Sequence, residues 1–376
     1  MKKIGILVPC LQGRGVSKVP AIHSKMFFEA GFDVDIIIEY GEPIFPYSGN
    51  LINLKLKKKK GIFKIINFLK LIYKIRKLKK IKKYDFFISH TPHCDITNAL
   101  TKNNEIVITT VHNNIEKTYS KYVKMILPLV IKRSDKVVSV SKEIRDILVK
   151  KFDNSEKIVC IYNPIDLDLV KSLSKLPLPE HLKDKNFILN VGSLDRQKGQ
   201  WHLIKAFSLL LQEHPDLYLV LVGEGTYRDH LVSLVESLDI RDKVYFEGFQ
   251  KNPYNYMKNA SIFALPSLFE GLPLVLIEAM SCKTPIIATD CVSGPKELLL
   301  YNGVEAGFLI PDRSDLKELT TLTISDFDKL ISHKMSFILK NKEYVSEVIN
   351  NAYLRTNEFS LNSILVSWKK LFNNYE

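Results

Sequence analysis

The stretch Pro266-Ser-Leu-Phe-Glu-Gly-Leu-Pro-Leu-Val-Leu-Ile-Glu-Ala-Met280 follows the apolar run Ile262-Phe-Ala-Leu265 and carries a glycine and a proline at its centre. This pattern predicts a strand that turns at Glu270-Gly271 and opens a helix with Pro273 in its first turn. Such a helix start aims unpaired N–H groups, here those of Leu274 and Val275, and the positive end of its dipole at the turn, which suits a phosphate. Glu270 lies on the turn and Glu278 about one and a half turns into the helix, so both carboxylates can face one ligand from different heights. Carboxylates repel phosphate, and sugar hydroxyls are their expected partners. Two glutamates eight residues apart also suit an ordinary turn and a solvated helix face, so spacing alone does not separate the readings.

Working outward, strand and helix patterns alternate on both sides of this corner. Asn186–Val191, Leu217–Val222, Val244–Gly248, Pro285–Thr289 and Gly307–Ile310 read as strands, with helices over Gln200–Glu213 and Tyr254–Asn259. The first half repeats the alternation. Lys3–Pro9 is a strand, Leu11–Val16 a glycine-bearing loop, and a helix then runs to Ala30. Strands follow over Gly31–Ile38, Tyr84–Ser89, Ile106–His112, Asp135–Ser141 and Lys157–Tyr162. A helix over Lys117–Arg133 is expected to be interrupted near Pro128, and Ser141 to cap another that reaches Phe152. Two rounds of alternation in 376 residues predict an α/β protein of two Rossmann-like, doubly wound domains. The proline-bearing Leu173–Glu180 reads as the linker, giving domains over 1–168 and 180–357 and a terminal amphipathic helix within 358–376.

Three blocks carry a family resemblance. The anchor stretch with Glu270 and Glu278, the downstream Asp290-Cys-Val-Ser-Gly-Pro-Lys-Glu297 and the upstream Val191-Gly-Ser-Leu-Asp-Arg-Gln-Lys-Gly199 resemble, in order, the signature of the retaining nucleotide-sugar glycosyltransferases of family 4. The resemblance is close over residues 185 to 312 and coarse over 1 to 165. It implies the GT-B architecture, in which two such domains face each other across a cleft and the terminal helix crosses back to the first. It implies that Glu278 binds the ribose hydroxyls of the nucleotide and Glu270 the hexose, and that Glu297 helps to close the nucleotide site. His112 matches the family's cleft histidine, expected to contact the donor sugar and its phosphate. Lys198 and Arg196 are placed to bind the diphosphate as point charge and fork. The commoner family pattern has arginine directly after the loop's first glycine, where this chain has Ser193. Either Arg196 supplies the guanidinium from three residues on, or the Ser193 hydroxyl serves. Gly15, in the loop after the first strand, is expected to face the donor phosphates and the acceptor. Its Gly-x-Gly lacks the third glycine and companion acid of a dinucleotide fingerprint.

The charge is concentrated. Of 54 basic residues, 14 lie between Lys55 and Lys83, where there is no acidic residue, so the rest is nearly balanced by the 41 acids. Within the expected helix over 57–83, Ile62, Ile65, Ile66, Leu69, Ile72 and Tyr73 recur at helical spacing while Lys70, Lys74 and Lys77 are expected on another face. A basic amphipathic helix suits an anionic membrane surface. A core helix with a solvated lysine face is the alternative. No aromatic array accompanies the lysines, which argues against nucleic acid.

No run of 18 apolar residues occurs, and the opening apolar run stops at Pro9, too early for a signal peptide. Five scattered cysteines suit a reducing cytosol. His90-Thr-Pro-His-Cys94 is read as a loop rather than a metal site, because Pro92 interrupts the ligand spacing. Asp33-Val-Asp35 is expected at the surface rather than as a metal motif. No metal and no cofactor beyond the co-substrate is therefore expected.

Together these features predict transfer of a hexose or N-acetylhexosamine, with retention, from a UDP-sugar to a lipid-diphosphate-linked glycan in O-antigen, capsule or lipopolysaccharide synthesis. The expected location is the inner face of the plasma membrane, as a cytoplasmic peripheral protein. A GT-B sugar-nucleotide epimerase would use the same corner, and a non-catalytic glycan or nucleic-acid binder would show no donor hydrolysis. A phosphorylase would need a pyridoxal lysine, for which the sequence offers no site.

Overall fold

The computed structural model describes residues 1–13, 15–56, 62–312 and 322–375; the side chains of residues 16 and 62–64 lie outside that description. The chain forms two compact units, Met1–Pro164 with Leu361–Glu376, and Ile165–Ser360.

Unit 1 begins β1 (Lys3–Val8), α1 (Gly15–Glu29), β2 (Asp33–Ile38), β3 (Asn50–Asn53) and α2 (Ile62–Lys82). It continues β4 (Phe86–His90), α3 (Pro92–Leu100), β5 (Ile106–Val111), α4 (Ile115–Thr118), α5 (Lys121–Arg133), β6 (Lys136–Ser139), α6 (Lys142–Phe152) and β7 (Ile158–Cys160). The strands form one parallel sheet in the order β3-β2-β1-β4-β5-β6-β7. Helices cover both faces, so the strands are near-continuous runs of Ile, Val and Leu instead of alternating. The strand order reverses between β1 and β4, the place where open α/β sheets bind ligands. The final helix of the chain, over Leu361–Asn373, buries Ile364, Trp368, Leu371 and Phe372 in this unit's core. Its Phe372 ring stacks 4.2 Å from Phe86, and its Trp368 ring meets Phe27 edge-on at 5.5 Å.

Unit 2 comprises α7 (Leu167–Leu173), β8 (Phe187–Val191), α8 (Gln200–Leu210), β9 (Tyr218–Val222), α9 (Arg228–Ser237), β10 (Val244–Gly248) and α10 (Tyr254–Asn259). Then come β11 (Ile262–Leu265), α11 (Leu274–Ser281), β12 (Ile286–Asp290), α12 (Pro295–Leu299), β13 (Leu300–Tyr301), β14 (Val304–Glu305), β15 (Phe308–Pro311), α13 (Asp326–Lys340) and α14 (Lys342–Arg355); the terminal helix is α15. Its parallel sheet runs β10-β9-β8-β11-β12-β15, with the reversal between β8 and β11. A bridge between Ile165 and Ser360 lays the two ends of the unit side by side, so the unit starts at Ile165, slightly before the expected end of the first domain at 168.

Four sequence expectations are corrected. The break in the helix over 117–133 falls at Tyr119-Ser120 instead of Pro128, because Ser120 Oγ caps the Val123 N–H. Pro128 stays inside α5 on its exposed side, where the carbonyl one turn back can be solvated. His90-Thr-Pro-His-Cys94 is not a loop: Pro92 occupies the first turn of α3, where a missing N–H costs nothing. Asp35 is fully buried, accepting from Tyr84 Oη at 2.7 Å with Lys3 Nζ 3.6 Å away. The fourth concerns α2. Phe68, Leu71, Ile75 and Lys79 form its inward face, with Lys79 Nζ 2.7 Å from Glu105 and donating at 2.7 Å to Asn98 Oδ1. The stripe that the core-helix alternative would bury, Ile65, Ile66, Leu69 and Tyr73, is therefore exposed, and Lys70, Lys74 and Lys77 are exposed on the sector beside it. Residues 57–61 of the expected helix lie outside the described residues.

Candidate active site

The loops that follow β8 and β11, the two strands flanking the reversal in unit 2, meet backbone to backbone. Gly199 has φ +61°, and a Cβ there would lie 2.3 Å from the Pro266 carbonyl oxygen, so only glycine permits this approach. Leu268 N–H donates to the Gln197 carbonyl at 2.9 Å, and Gln197 Nε2 returns a bond to the Phe269 carbonyl at 2.9 Å. Across this seam Lys198 Nζ reaches Glu270 Oε1 at 2.6 Å, and Ser267 Oγ donates to the same oxygen at 2.6 Å. The Glu270 side chain is 6% exposed and that of Lys198 17%. Two of the three ammonium donors of Lys198 have no partner among the described residues, so the cation is oriented by Glu270 and can still take an anion. A third loop, after β12, closes on the same turn: Ser293 Oγ donates to the Glu270 carbonyl at 2.6 Å. Ser293 itself holds φ +64°, a left-handed conformation that a serine adopts only under such constraint.

α11 begins immediately beyond Glu270. Pro273 provides no side-chain cap, and the first matched donor is Leu276 N–H to the Pro273 carbonyl at 2.9 Å. The amides of Leu274 and Val275 are left pointing out of the helix start. Glu278 is buried on α11, receiving Tyr254 Oη at 3.4 Å. Burial and the Glu270 charge push the neighbouring Cys291 thiol up, with Lys198 opposing, so it stays protonated. Ser193 is half-buried, and its carbonyl accepts Gln200 Nε2 at 3.0 Å. Arg196 is exposed at the start of the 3-10 turn that carries Lys198. Glu297 lies on α12, its carbonyl bonded by Arg355 Nη2 at 2.8 Å.

His112 and Gly15 belong to unit 1. Gly15 opens α1, and Arg14 beside it lies outside the described residues. His112 follows β5, and its Nε2 is 2.8 Å from His90 Nδ1 and 3.0 Å from Thr110 Oγ1. Burial lowers its pKa to about 4, so it is neutral near pH 7. His93 and Cys94 turn instead toward Glu39, at 3.2 and 3.5 Å, so the histidines and cysteine of this segment do not converge.

Sequence reasoning therefore named Lys198, Glu270, Leu274, Val275 and Glu278, which the fold gathers on two adjoining loops and one helix. It missed the side chains that hold them, Ser267, Gln197, Ser293 and Tyr254, and those that hold His112, namely His90 and Thr110. Ser267 had a signal, three residues before Glu270 in the anchor stretch, and Gln197 and Thr110 lay within two residues of Lys198 and His112; Ser293, Tyr254 and His90 come from distant segments.

The description "Glycosyl transferases group 1" fits residues 178–355 and "Glycosyltransferase Family 4" residues 14–169. The chain is 32% identical over 328 residues to the N-acetylgalactosamine-N,N'-diacetylbacillosaminyl-diphospho-undecaprenol 4-alpha-N-acetylgalactosaminyltransferase of Campylobacter jejuni, covering 82% of this chain and 86% of that protein. The chain belongs to glycosyltransferase family 4. This family 4 glycosyltransferase is also 25% identical to the UDP-Gal:alpha-D-GlcNAc-diphosphoundecaprenol alpha-1,3-galactosyltransferase of Escherichia coli, over 89% of this chain and 90% of that one. Its fold matches the crystal structure of Anabaena HepE in complex with UDP-glucose, with a TM-score of 0.77, 17% identity and full coverage of both chains. The two parallel-sheet Rossmann-like units are those of the GT-B glycosyltransferases.

The seam between the loops gives a direct test. Gly199→Ala should cost about 1–3 kcal/mol of stability, from the clash with the Pro266 carbonyl and the left-handed φ together. Gly13→Ala, which has φ +80° but nothing within 4 Å of its Cβ, should cost less. Urea unfolding of both variants checks the order, and equal losses would mean that the loop contact is not tight.

Proposed function

We propose that this glycosyltransferase moves a hexose or N-acetylhexosamine from a UDP-sugar to a hydroxyl of a lipid-diphosphate-linked glycan, retaining the α configuration and using no metal. The observation that carries this reading is the Lys198–Glu270 pair at the strand-order reversal, beside the uncapped start of α11. In this reading the amides of Leu274 and Val275 with Lys198 and Arg196 take the diphosphate and stabilise it as it leaves. Ser193 lines the same loop. Glu278 takes the ribose hydroxyls, Glu270 the hexose hydroxyls, and Glu297 helps to close the nucleotide site. Gly15 approaches the donor phosphates, and His112 hydrogen-bonds an oxygen of the sugar donor. A donor phosphate oxygen accepts the proton of the incoming hydroxyl on the face from which the diphosphate departs, so no enzymic base is required. The acceptor class rests on the relatives from Campylobacter jejuni and Escherichia coli, whose names place their substrates on diphospho-undecaprenol.

The exposed side of α2 supports work at an anionic membrane surface, the cytoplasmic face in this reading. No described helix is long and apolar enough to cross a membrane. Ile65, Leu69 and Tyr73 are each more than half exposed, among lysines that a bilayer with anionic headgroups would attract by about 1 kcal/mol apiece.

Two measurements test these readings. Turnover of UDP-sugars should fall about 100-fold or more in Glu270→Ala and in Lys198→Ala with the fold intact, and the product should be α-linked. A β-linked product, free epimerised sugar or near-normal rates would reject the assignment. Sedimentation with phosphatidylglycerol vesicles should be lost in Leu69→Glu/Tyr73→Glu and weakened by salt, whereas equal binding to phosphatidylcholine alone would contradict the charge argument.

A further inference from the structure

Behind His112, unit 1 contains two further buried histidines, His90 and His23, that the proposed chemistry does not use. His112 Nε2 lies 2.8 Å from His90 Nδ1, and His90 Nε2 lies 3.5 Å from His23 Nδ1. His23 stacks on Phe27 at 5.6 Å and meets the Trp368 ring edge-on at 5.3 Å. His23 Nε2 and Trp368 Nε1 are both buried with no hydrogen-bond partner among the described residues. Burial lowers the pKa of His23 to about 3 and that of His90 well below its ordinary value, so both rings, like that of His112, are neutral and carry a single N–H.

That count constrains the protons. Thr110 donates its hydroxyl hydrogen to the Ser89 carbonyl at 2.6 Å, so toward His90 and His112, 3.1 and 3.0 Å away, its oxygen can only accept. Between His90 Nδ1 and His112 Nε2 there is room for one proton, since two N–H groups or two lone pairs at 2.8 Å would repel. Either His112 donates inward, and the chain ends on a buried N–H at His23 Nε2, or His90 donates outward, and it ends on a bare lone pair there. Trp368 Nε1 can only donate. With the two rings in edge contact and neither nitrogen directly bonded, a lone pair at His23 can accept from Trp368 through one bridging water, whereas a second N–H would leave two buried donors with no acceptor between them.

We infer that Trp368, His23 and His90 form a positioning chain that fixes His112 as its Nδ1–H tautomer, so that it presents a hydrogen-bond donor to a ligand oxygen. His112 Nδ1 has no partner among the described residues and is the nitrogen left to a ligand. A donor there matches a phosphate or hydroxyl oxygen of a sugar nucleotide; this clause rests on the function proposed above, while the tautomer itself does not. His90 and His23 act through His112 and touch no substrate in this account.

The test is the ring tautomer, read in long-range proton–nitrogen correlation spectra of the full chain labelled at histidine, with signals assigned by single substitutions. The wild-type protein should show His112, His90 and His23 all protonated at Nδ1. In His90→Phe, His112 should switch to Nε2–H, now donating to Thr110. In His90→Asn, whose amide N–H replaces that of the imidazole, His112 should stay Nδ1–H, and the tenfold or greater loss of kcat expected for His90→Phe should be largely restored. An Nε2–H tautomer at His112 in the wild type, or an unchanged tautomer in His90→Phe, overturns the inference; the wild-type spectrum decides it even if a variant does not fold. Nδ1–H at His112 without turnover of any UDP-sugar would sink the functional reading and leave the inference standing.

Discussion

A lysine and a glutamate from segments more than seventy residues apart are held 2.6 Å apart at the point where the strand order of unit 2 reverses. Taking both charges largely out of water is costly unless each is matched. Here the match is local and complete on one side: Glu270 Oε1 receives both Lys198 and Ser267. It is incomplete on the other, because the ammonium keeps donors to spare. A paired cation with unused donors, next to a helix start with unused amides, suits an anion, and in the proposed reading it is ordered before the anion arrives. The glycines at 199 and 294 serve the same end, since a Cβ at Gly294 would lie 2.7 Å from the Gly271 carbonyl oxygen.

The same logic separates what could be read from the chain from what could not. The strands of both sheets except β3 were legible because buried parallel strands are unbroken runs rich in β-branched residues, whereas the edge strand β3, Asn-Leu-Ile-Asn, has no such run and was missed. The corner was legible because glycine, proline and two glutamates fall together in fifteen residues. Neither Ser293, arriving from beyond the next strand, nor His90, arriving from β4, carries a local mark of its role, since each works by a contact that only the fold creates. The helices α13 and α14 follow a segment outside the described residues; Ser325 and Asp328 form a capping box that was there to be found. Pro92 and Pro128 misled in opposite directions. Proline ends a helix only where its missing N–H and its ring matter, and neither the first turn of α3 nor the exposed side of α5 is such a place.

α2 shows why periodicity alone does not say which side of a helix faces the core. Its apolar residues run almost all the way round, so two stripes fit a helical period. The inward one is chosen by Lys79, whose ammonium finds Glu105, Asn98 and the face of Phe87 at 4.3 Å. The stripe left outside is apolar and basic at once, an arrangement poorly suited to water and well suited to a headgroup region. Unit 1 thus commits a lysine to its core and leaves isoleucines on its surface, the reverse of what composition leads one to expect.

The account stands or falls on whether Glu270 orients Lys198 for a diphosphate. Calorimetric UDP affinities for the wild type, Glu270→Ala, Lys198→Ala and the double variant form a closed cycle that measures this coupling. The account predicts strongly non-additive losses, with a coupling of about 1 kcal/mol or more, because a lysine freed from its carboxylate no longer holds the phosphate position. Additive losses within about 0.5 kcal/mol, or UDP affinity unchanged by Lys198→Ala, would contradict it.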